Sequence, residues 1–250
     1  MNDNFVTKET LESEDAILSK ILENVSISEE YEQIKLPSLG GLYGLGTDTI
    51  HIRGLTFEDE KILAGLKDRR KSANILLERC IKEDLNPLDL IPQDKVFILT
   101  HIRNMSVGPN HEFSMTCPNC KEQSTIEINV LETFECRYPD KPLAPTEEII
   151  LGRLQKPVVV RRAKSHELEN TKNNILENLW RYVVSIDGFT AAPIRTKVVD
   201  KLPREDIKQI ISIVSSEGIG LDTRFMYACN SCDHQELTEF TFQNGFFTMT

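Results

Sequence analysis

The chain has 250 residues, of which 40% are hydrophobic and 27% are charged, and its formal net charge is −10 at pH 7. This length and composition indicate a globular protein with a sizeable core of its own. The acidic balance argues against a nucleic-acid backbone as the main partner. No run of about 18 apolar residues predicts a membrane span.

The N-terminal segment 1–33 is predicted to be an acidic arm or helix. Its first residues, 1–14, lack the basic start and apolar core of a secretory signal, so we expect a cytoplasmic protein with reduced thiols. Two interpretations remain open: a short docking helix or loose arm, and a segment that becomes ordered on a partner. The apolar residues at helical spacing are Ile17, Leu18, Ile21, Leu22 and Val25.

Residues 34–135 are predicted to form a first module. Glycines at 40–44 indicate a turn, because no Gly-Lys-Ser/Thr follows to make a phosphate loop. Residues 49–53 alternate as a strand does, and Thr56 is a candidate helix N-cap with Asp59 in the capping-box position. Further helices follow, and the last is opened by Pro92 and ended by Gly108. The module closes with the pair Cys117 and Cys120 and an alternating strand.

Residues 136–156 are a predicted linker, because 138–145 contain three prolines. Residues 157–250 are predicted to form a second module. A strand at 158–161 opens it, and Ser165 is a candidate N-cap for a long helix through Val183. Pro203 opens a further helix. The module ends with the pair Cys229 and Cys232 and a strand over 237–242.

The two predicted modules match each other when the chain is shifted by 112 positions. Duplication of a strand–helix–helix–knuckle unit would explain the match, because paired repeats bury one shared core. Coincidence between two similar units is the alternative. The aligned pairs include Asp94 with Asp206, Gly108 with Gly220, Phe113 with Phe225, Cys117 with Cys229, and Cys120 with Cys232.

The two Cys-x-x-Cys pairs predict one structural zinc site, with Cys117, Cys120, Cys229 and Cys232 as its ligands. Each pair lies between strand-like segments, which is the arrangement of a zinc knuckle. Roughly a hundred residues separate the pairs, against about 15 to 20 in a continuous zinc ribbon. Four thiolates fill a tetrahedral shell, so the ion would be structural and not catalytic. A redox motif is the alternative, but redox pairs usually begin a helix.

The other cysteines and histidines have no ligand spacing. His234 follows the second pair closely, yet four thiolates already complete the shell, so we expect it to lie outside the ligand set. Cys80 is predicted to be a small core residue, and Cys136 has no predicted role. The histidines are scattered, and no catalytic or nucleotide-binding motif occurs, so no residue set predicts an enzyme.

A series of motifs follows a fixed order along the chain: the runs 36–43, 50–56, 58–60 and 87–90, then Asp94, Arg103, Gly108, and Cys117 to Cys120. This order resembles the baseplate hub protein family of T-even-type contractile-tailed bacteriophages. The resemblance implies a non-enzymatic structural or assembly protein whose partners are other hub or tail proteins. It also implies a location in the host cytoplasm during assembly, and two alternatives stay open afterwards: a place in the virion tail baseplate, or a role in assembly alone.

The sequence as a whole predicts an α+β fold of two repeated strand–helix–helix–zinc-knuckle modules that share one zinc-ribbon-like site with four cysteine ligands. Two rival functions remain beside the structural one. The first is a zinc-ribbon adaptor that binds nucleic acid or a transcription complex, and the acidic charge weighs against it. The second is a thiol oxidoreductase, which four metal-bound thiolates would exclude.

Overall fold

The structure is a computed structural model that describes residues 16–17, 20, 31–65, 69–168 and 175–240. The chain divides into two compact units, residues 1–31 and 32–250. In the first unit Ala16, Ile17 and Lys20 are helical and exposed, and the rest of the predicted amphipathic stretch lies outside the described residues. All of the elements below belong to the second unit, which combines helices with small antiparallel sheets.

The first core forms around a β-hairpin and three helices. The hairpin places Ile34 opposite Ile50, and both side chains are buried against Leu77 and Ile98. Thr56 and Asp59 form the predicted capping box. The elements are β1 (Glu32–Lys35), β2 (Thr49–Ile52), α1 (Phe57–Ala64), α2 (Arg69–Cys80), a 3-10 turn (Pro87–Asp89) and α3 (Pro92–Val107).

A second hairpin follows α3. It consists of β3 (Asn110–Thr116) and β4 (Gln123–Asn129), and its tip carries Cys117 and Cys120. The short helix α4 (Val130–Thr133) and strand β5 (Cys136–Arg137) come next.

The second core is built on a three-stranded sheet in the order β6-β7-β8. Val158, Val160 and Val183 of this sheet are fully buried with Ile210. The elements are β6 (Thr146–Ile150), β7 (Pro157–Arg161), α5 (Ser165–Leu168), a 3-10 turn (Leu179–Arg181), β8 (Val183–Ile186), α6 (Ala192–Val199) and α7 (Arg204–Val214).

The last elements return to the first half of the chain. Strand β9 (Gly220–Leu221) pairs with β5, and β10 (Arg224–Ala228) pairs with β11 (Gln235–Glu239) in a hairpin whose tip carries Cys229 and Cys232. The Gln93 side chain also donates to the Ser215 carbonyl at 2.6 Å. The two halves of residues 32–250 therefore contact each other along several elements.

A fully buried aspartate in each half fixes a hairpin turn to a helix. Asp94, the third residue of α3, accepts hydrogen bonds from the Ser38 backbone N–H and the Tyr43 hydroxyl. Asp206, the third residue of α7, accepts them from the backbone N–H groups of Arg153 and Leu154, both at 2.9 Å. Each turn thus gains its buried acceptors from a helix far along the chain.

Replacing Asp206 with asparagine is expected to lower the free energy of unfolding by about 1–3 kcal/mol. Asparagine offers only one acceptor oxygen, so its amide would face one of the two N–H groups that the carboxylate now accepts. Urea denaturation measures the loss. Asp200→Asn is the control, because Asp200 is exposed just after α6. Equal losses in the two variants would show that the carboxylate does not hold the turn.

The predicted long helix from Ser165 to Val183 is wrong. The described part of α5 ends at Leu168, and residues 169–174 lie outside the description. Val183 begins strand β8 and lies opposite Val160. Its neighbours Val184 and Ile186 are β-branched, and such side chains fit the pleated surface of a sheet.

Other boundaries also differ from the expectation. The predicted linker, 136–156, contains strands β5 and β6, and the division into modules stays a prediction. The sequence does not predict strands β1, β5 and β9 or helix α6, because short elements give little periodic signal. In the part of the chain that the structure describes, no helix has the length and apolar character needed to cross a bilayer.

Candidate metal centre

The two hairpin tips have the same local construction. In the first, the Cys117 backbone N–H donates to the Glu122 carbonyl at 2.9 Å, and Lys121 has a φ of 64°. In the second, the Cys229 N–H donates to the His234 carbonyl at 2.9 Å, and Asp233 has a φ of 54°. The left-handed residue closes each tip tightly, so that both sulfurs of a pair point to one side.

The structure brings all four predicted cysteines together in what we call the four-cysteine cluster. Their sulfurs lie within 4.8 Å of one another. The Cys117–Cys232 and Cys120–Cys229 sulfur separations are both 3.7 Å. Sulfurs about 2.3 Å from one ion at the corners of a tetrahedron are about 3.8 Å apart. The two measured separations match that value, and the cluster as a whole is compact enough to surround one tetrahedral ion.

Burial within the four-cysteine cluster follows a pattern. The first cysteine of each pair is buried, with Cys117 at 0% and Cys229 at 4% exposure, whereas Cys120 is exposed and Cys232 is intermediate. Cys117 and Cys229 belong to one buried cluster with Tyr227, whereas Cys120 and Cys232 lie nearer the surface. An ion held here would be shielded on one side by the protein.

Hydrogen bonds prepare the second pair to act as thiolates, the form that binds metal. The Ser231 backbone N–H donates to the Cys229 sulfur at 3.4 Å and lowers the pKa of that thiol to about 6. The Asn119 amide donates to the Cys232 sulfur at 3.5 Å and lowers its pKa as well. Because Asn119 belongs to the first tip, the first hairpin supports the thiolate form of a cysteine in the second.

Cys120 behaves differently from the second pair. The Glu122 backbone N–H favours its thiolate, but contacts with the neighbouring sulfurs, that of Cys232 first, outweigh this and raise its pKa to about 12. A cation bound at the centre would reverse that balance, because metal binding displaces thiol protons.

A layer of aromatic rings packs beside the four-cysteine cluster and joins the two hairpins. Phe113 of β3 lies 5.2 Å from Phe240 and 6.2 Å from Phe225 of β10 between ring centroids. Phe134 lies 5.6 Å from Phe240. Phe113 and Phe225 align with each other in the sequence, but the sequence alone does not predict this role for them. Their equal offset, four residues before each first cysteine, is the signal that could have found it.

The remaining candidates lie outside the four-cysteine cluster. His234 is not among the grouped ligands, and its Nε2 is 3.7 Å from a Glu236 carboxylate oxygen. Cys80 is fully buried in the first core, as predicted, and burial raises its pKa to about 11. Cys136 is half-buried on β5, where burial also raises its pKa.

Comparison with known proteins identifies the family. A family model described as T4 bacteriophage base plate protein matches residues 28–248. No curated protein matches the chain, and no solved structure does. The match covers both hairpin tips, both cores and nearly all of the described residues. This chain therefore belongs to the T4 bacteriophage base plate protein family.

Proposed function

We propose that the chain is a non-enzymatic structural or assembly protein of the phage tail baseplate hub, and that a zinc ion bound by the four-cysteine cluster braces its two halves. The observation that carries the proposal is the meeting of sulfurs from distant parts of the chain. Cys120 and Cys229 are 109 positions apart in sequence and 3.7 Å apart in space. Family membership supports the structural role.

Zinc is the ion that suits this donor set best. Four thiolates in a tetrahedron are typical of structural zinc and leave no open position for water or substrate. Because unfolded thiols are not gathered, the binding free energy of the ion contributes to folding. The ion would close a long loop and hold one hairpin against the other.

Two repeated modules are also part of the proposal. The two buried aspartates and the two tips occupy equivalent positions in the halves. In addition, Arg53 pairs with Asp59 and Arg161 pairs with Glu167, each at 2.7 Å and each across six positions. Recurrence of the same hydrogen bonds at matching places supports duplication over coincidence.

The partners would be other hub or tail proteins. A net charge of −10 disfavours a nucleic-acid surface, and a closed metal shell disfavours catalysis. On this proposal the chain works in the host cytoplasm during assembly, either as a part of the virion tail baseplate or as a factor that helps to build it, and surfaces for protein contacts define its role.

Mass spectrometry of purified particles and of isolated baseplate intermediates tests the role. We expect the chain in at least one of the two preparations at a fixed ratio to other hub proteins. Its absence from both would contradict the proposal. Filter binding to DNA and RNA at low salt tests the adaptor alternative, because a nucleic-acid-binding protein shows affinity that falls steeply as salt rises.

A further inference from the structure

A pocket outside the four-cysteine cluster lies in the second half of the chain. It opens between the β6–β7 turn and the segment that joins α6 to α7, and its volume is about 380 Å³. This volume is within the range of small ligand sites. Its floor is apolar and consists of Leu154, Val198 and Leu202, which are half-buried, with Pro203 beside them.

The rim of this pocket is positively charged in a chain that is acidic overall. Arg153, Lys197 and Lys201 line it, and all three are exposed. Arg153 has a solvent-exposed pair with Glu205 at 2.9 Å, which contributes little free energy. Among the described residues, Lys197 and Lys201 have no ion-pair partner. The rim therefore complements a partner with negative charges around an apolar group.

In the first half of the chain, an aromatic ring lies beside the aspartate that aligns with Asp206. Tyr43 donates its hydroxyl to Asp94 at 2.6 Å and accepts a hydrogen bond from the Ile91 backbone N–H at 3.1 Å. Pro203 precedes Asp206 by three positions, just as Ile91 precedes Asp94. The β6–β7 turn is shorter than the loop before β2 and contains no aromatic residue. On the proposed duplication, the pocket corresponds to the place beside Asp94 that the Tyr43 ring occupies in the first half.

A ring that enters the pocket would find no hydrogen-bond partner for a hydroxyl group like that of Tyr43. Pro203 has no backbone N–H to donate, and Asp206 is fully buried with both oxygens bonded to the turn. A phenylalanine ring satisfies the apolar floor without leaving a polar group unpaired.

We propose that this pocket binds an acidic segment of another baseplate protein, which inserts one phenylalanine side chain while its flanking carboxylates pair with Lys197 and Lys201. The proposal extends the structural role by naming a contact surface. It relies on the proposed function only for the class of partner and does not depend on the bound ion, so the two can fail separately.

An NMR titration of the full-length protein with the peptide Glu-Glu-Phe-Glu-Glu tests the site. We expect saturable amide shifts centred on 153–154 and 197–202. The peptide Gln-Gln-Phe-Gln-Gln and the peptide Glu-Glu-Ser-Glu-Glu should each bind about tenfold more weakly, because one lacks the charges and the other lacks the ring. Equal binding of all three peptides, or no localised shifts with the first, would overturn the proposal.

Charge-reversal variants separate the pocket from general electrostatics. Lys197→Glu with Lys201→Glu should weaken binding of the acidic peptide at least about tenfold. Lys141→Glu with Lys208→Glu changes the net charge equally at exposed positions outside the pocket and should leave binding within about twofold. Equal losses in the two double variants would overturn the proposal.

Two other possible occupants of the pocket, a nucleic acid and a second copy of the chain, are tested as well. A single-stranded oligonucleotide that shifts the same amides with equal or higher affinity would replace the acidic peptide as ligand and overturn the proposal. Sedimentation velocity tests a second copy of the chain. A dimer that the pocket variant dissociates, and the control variant does not, would also overturn it.

Discussion

Serine at Cys117 or Cys229 is expected to abolish stoichiometric metal binding and to lower the free energy of unfolding by at least about 3 kcal/mol. For a chain of this size that loss corresponds to a decrease of about 6–12 °C in melting temperature. The reason is geometric. The two cysteines come from different tips, and either change leaves three sulfurs and breaks the bridge between the hairpins.

Metal analysis and thermal melting of purified variants measure this effect. The wild-type chain should hold one zinc ion and show the four cluster thiols as unreactive. The double variant should be little worse than either single one, because each single change already empties the same site. Cys136→Ser is the control, since Cys136 lies outside the four-cysteine cluster. If the stability losses of the two single variants add up in the double variant, the two cysteines do not share one site.

Asparagine at Asp59 is expected to destabilise the chain by about 3–5 kcal/mol, the usual cost of removing one partner from a buried ion pair. The Asp59 side chain is 1% exposed and accepts from Arg53 at 2.7 Å and from Arg79. It also accepts from the Thr56 backbone N–H at the start of α1. Without the carboxylate, the buried Arg53 guanidinium loses the anion that it pairs with at 2.7 Å.

Urea denaturation of Asp59→Asn compared with Glu58→Gln isolates that contribution. Glu58 is the adjacent acid and also lies near Arg79, at 3.3 Å, but its side chain is 74% exposed. Its replacement should change stability by less than about 0.5 kcal/mol. Similar losses of stability at both positions would show that burial does not make the Asp59 ion pair more stabilising than the exposed one.

The free energy of unfolding of the Asp59→Asn variant should also depend less on pH in the acid range than that of the wild type. Burial alone would raise the pKa of Asp59, but hydrogen bonds from Arg53, Arg79 and Thr56 outweigh it and hold the pKa well below its usual range. Such a group contributes stability above its unfolded pKa of about 4, and that contribution declines as pH falls through the folded pKa. The stability gap between wild type and variant should therefore narrow below about pH 4. A constant gap would contradict this account.

The sequence predicts the local features of the candidate site well. Two thiols spaced by two residues between strand-like segments specify a knuckle, and neighbours in sequence are enough to form it. Pro92 and Gly108 delimit α3 for the same reason, because both act on their own backbone. The capping box at Thr56 and Asp59 is equally local.

Features that depend on distant partners could not be predicted in this way. Arg79 meets Asp59 across twenty positions, and β5 pairs with β9 from the other half of the chain. Nothing near these residues in sequence indicates the partner. The spacing of Val183 from earlier apolar residues fits a helical face and so predicts a helix, whereas pairing with β7 decides its conformation.

The order of the two knuckles along the chain has a consequence during protein synthesis. The first knuckle leaves the ribosome well before the second, and it offers only two sulfurs until Cys229 and Cys232 follow. A nascent or truncated polypeptide that lacks the later hairpin cannot complete a four-thiolate shell. Acquisition of the ion would thus mark a polypeptide translated past the second knuckle and competent to enter assembly.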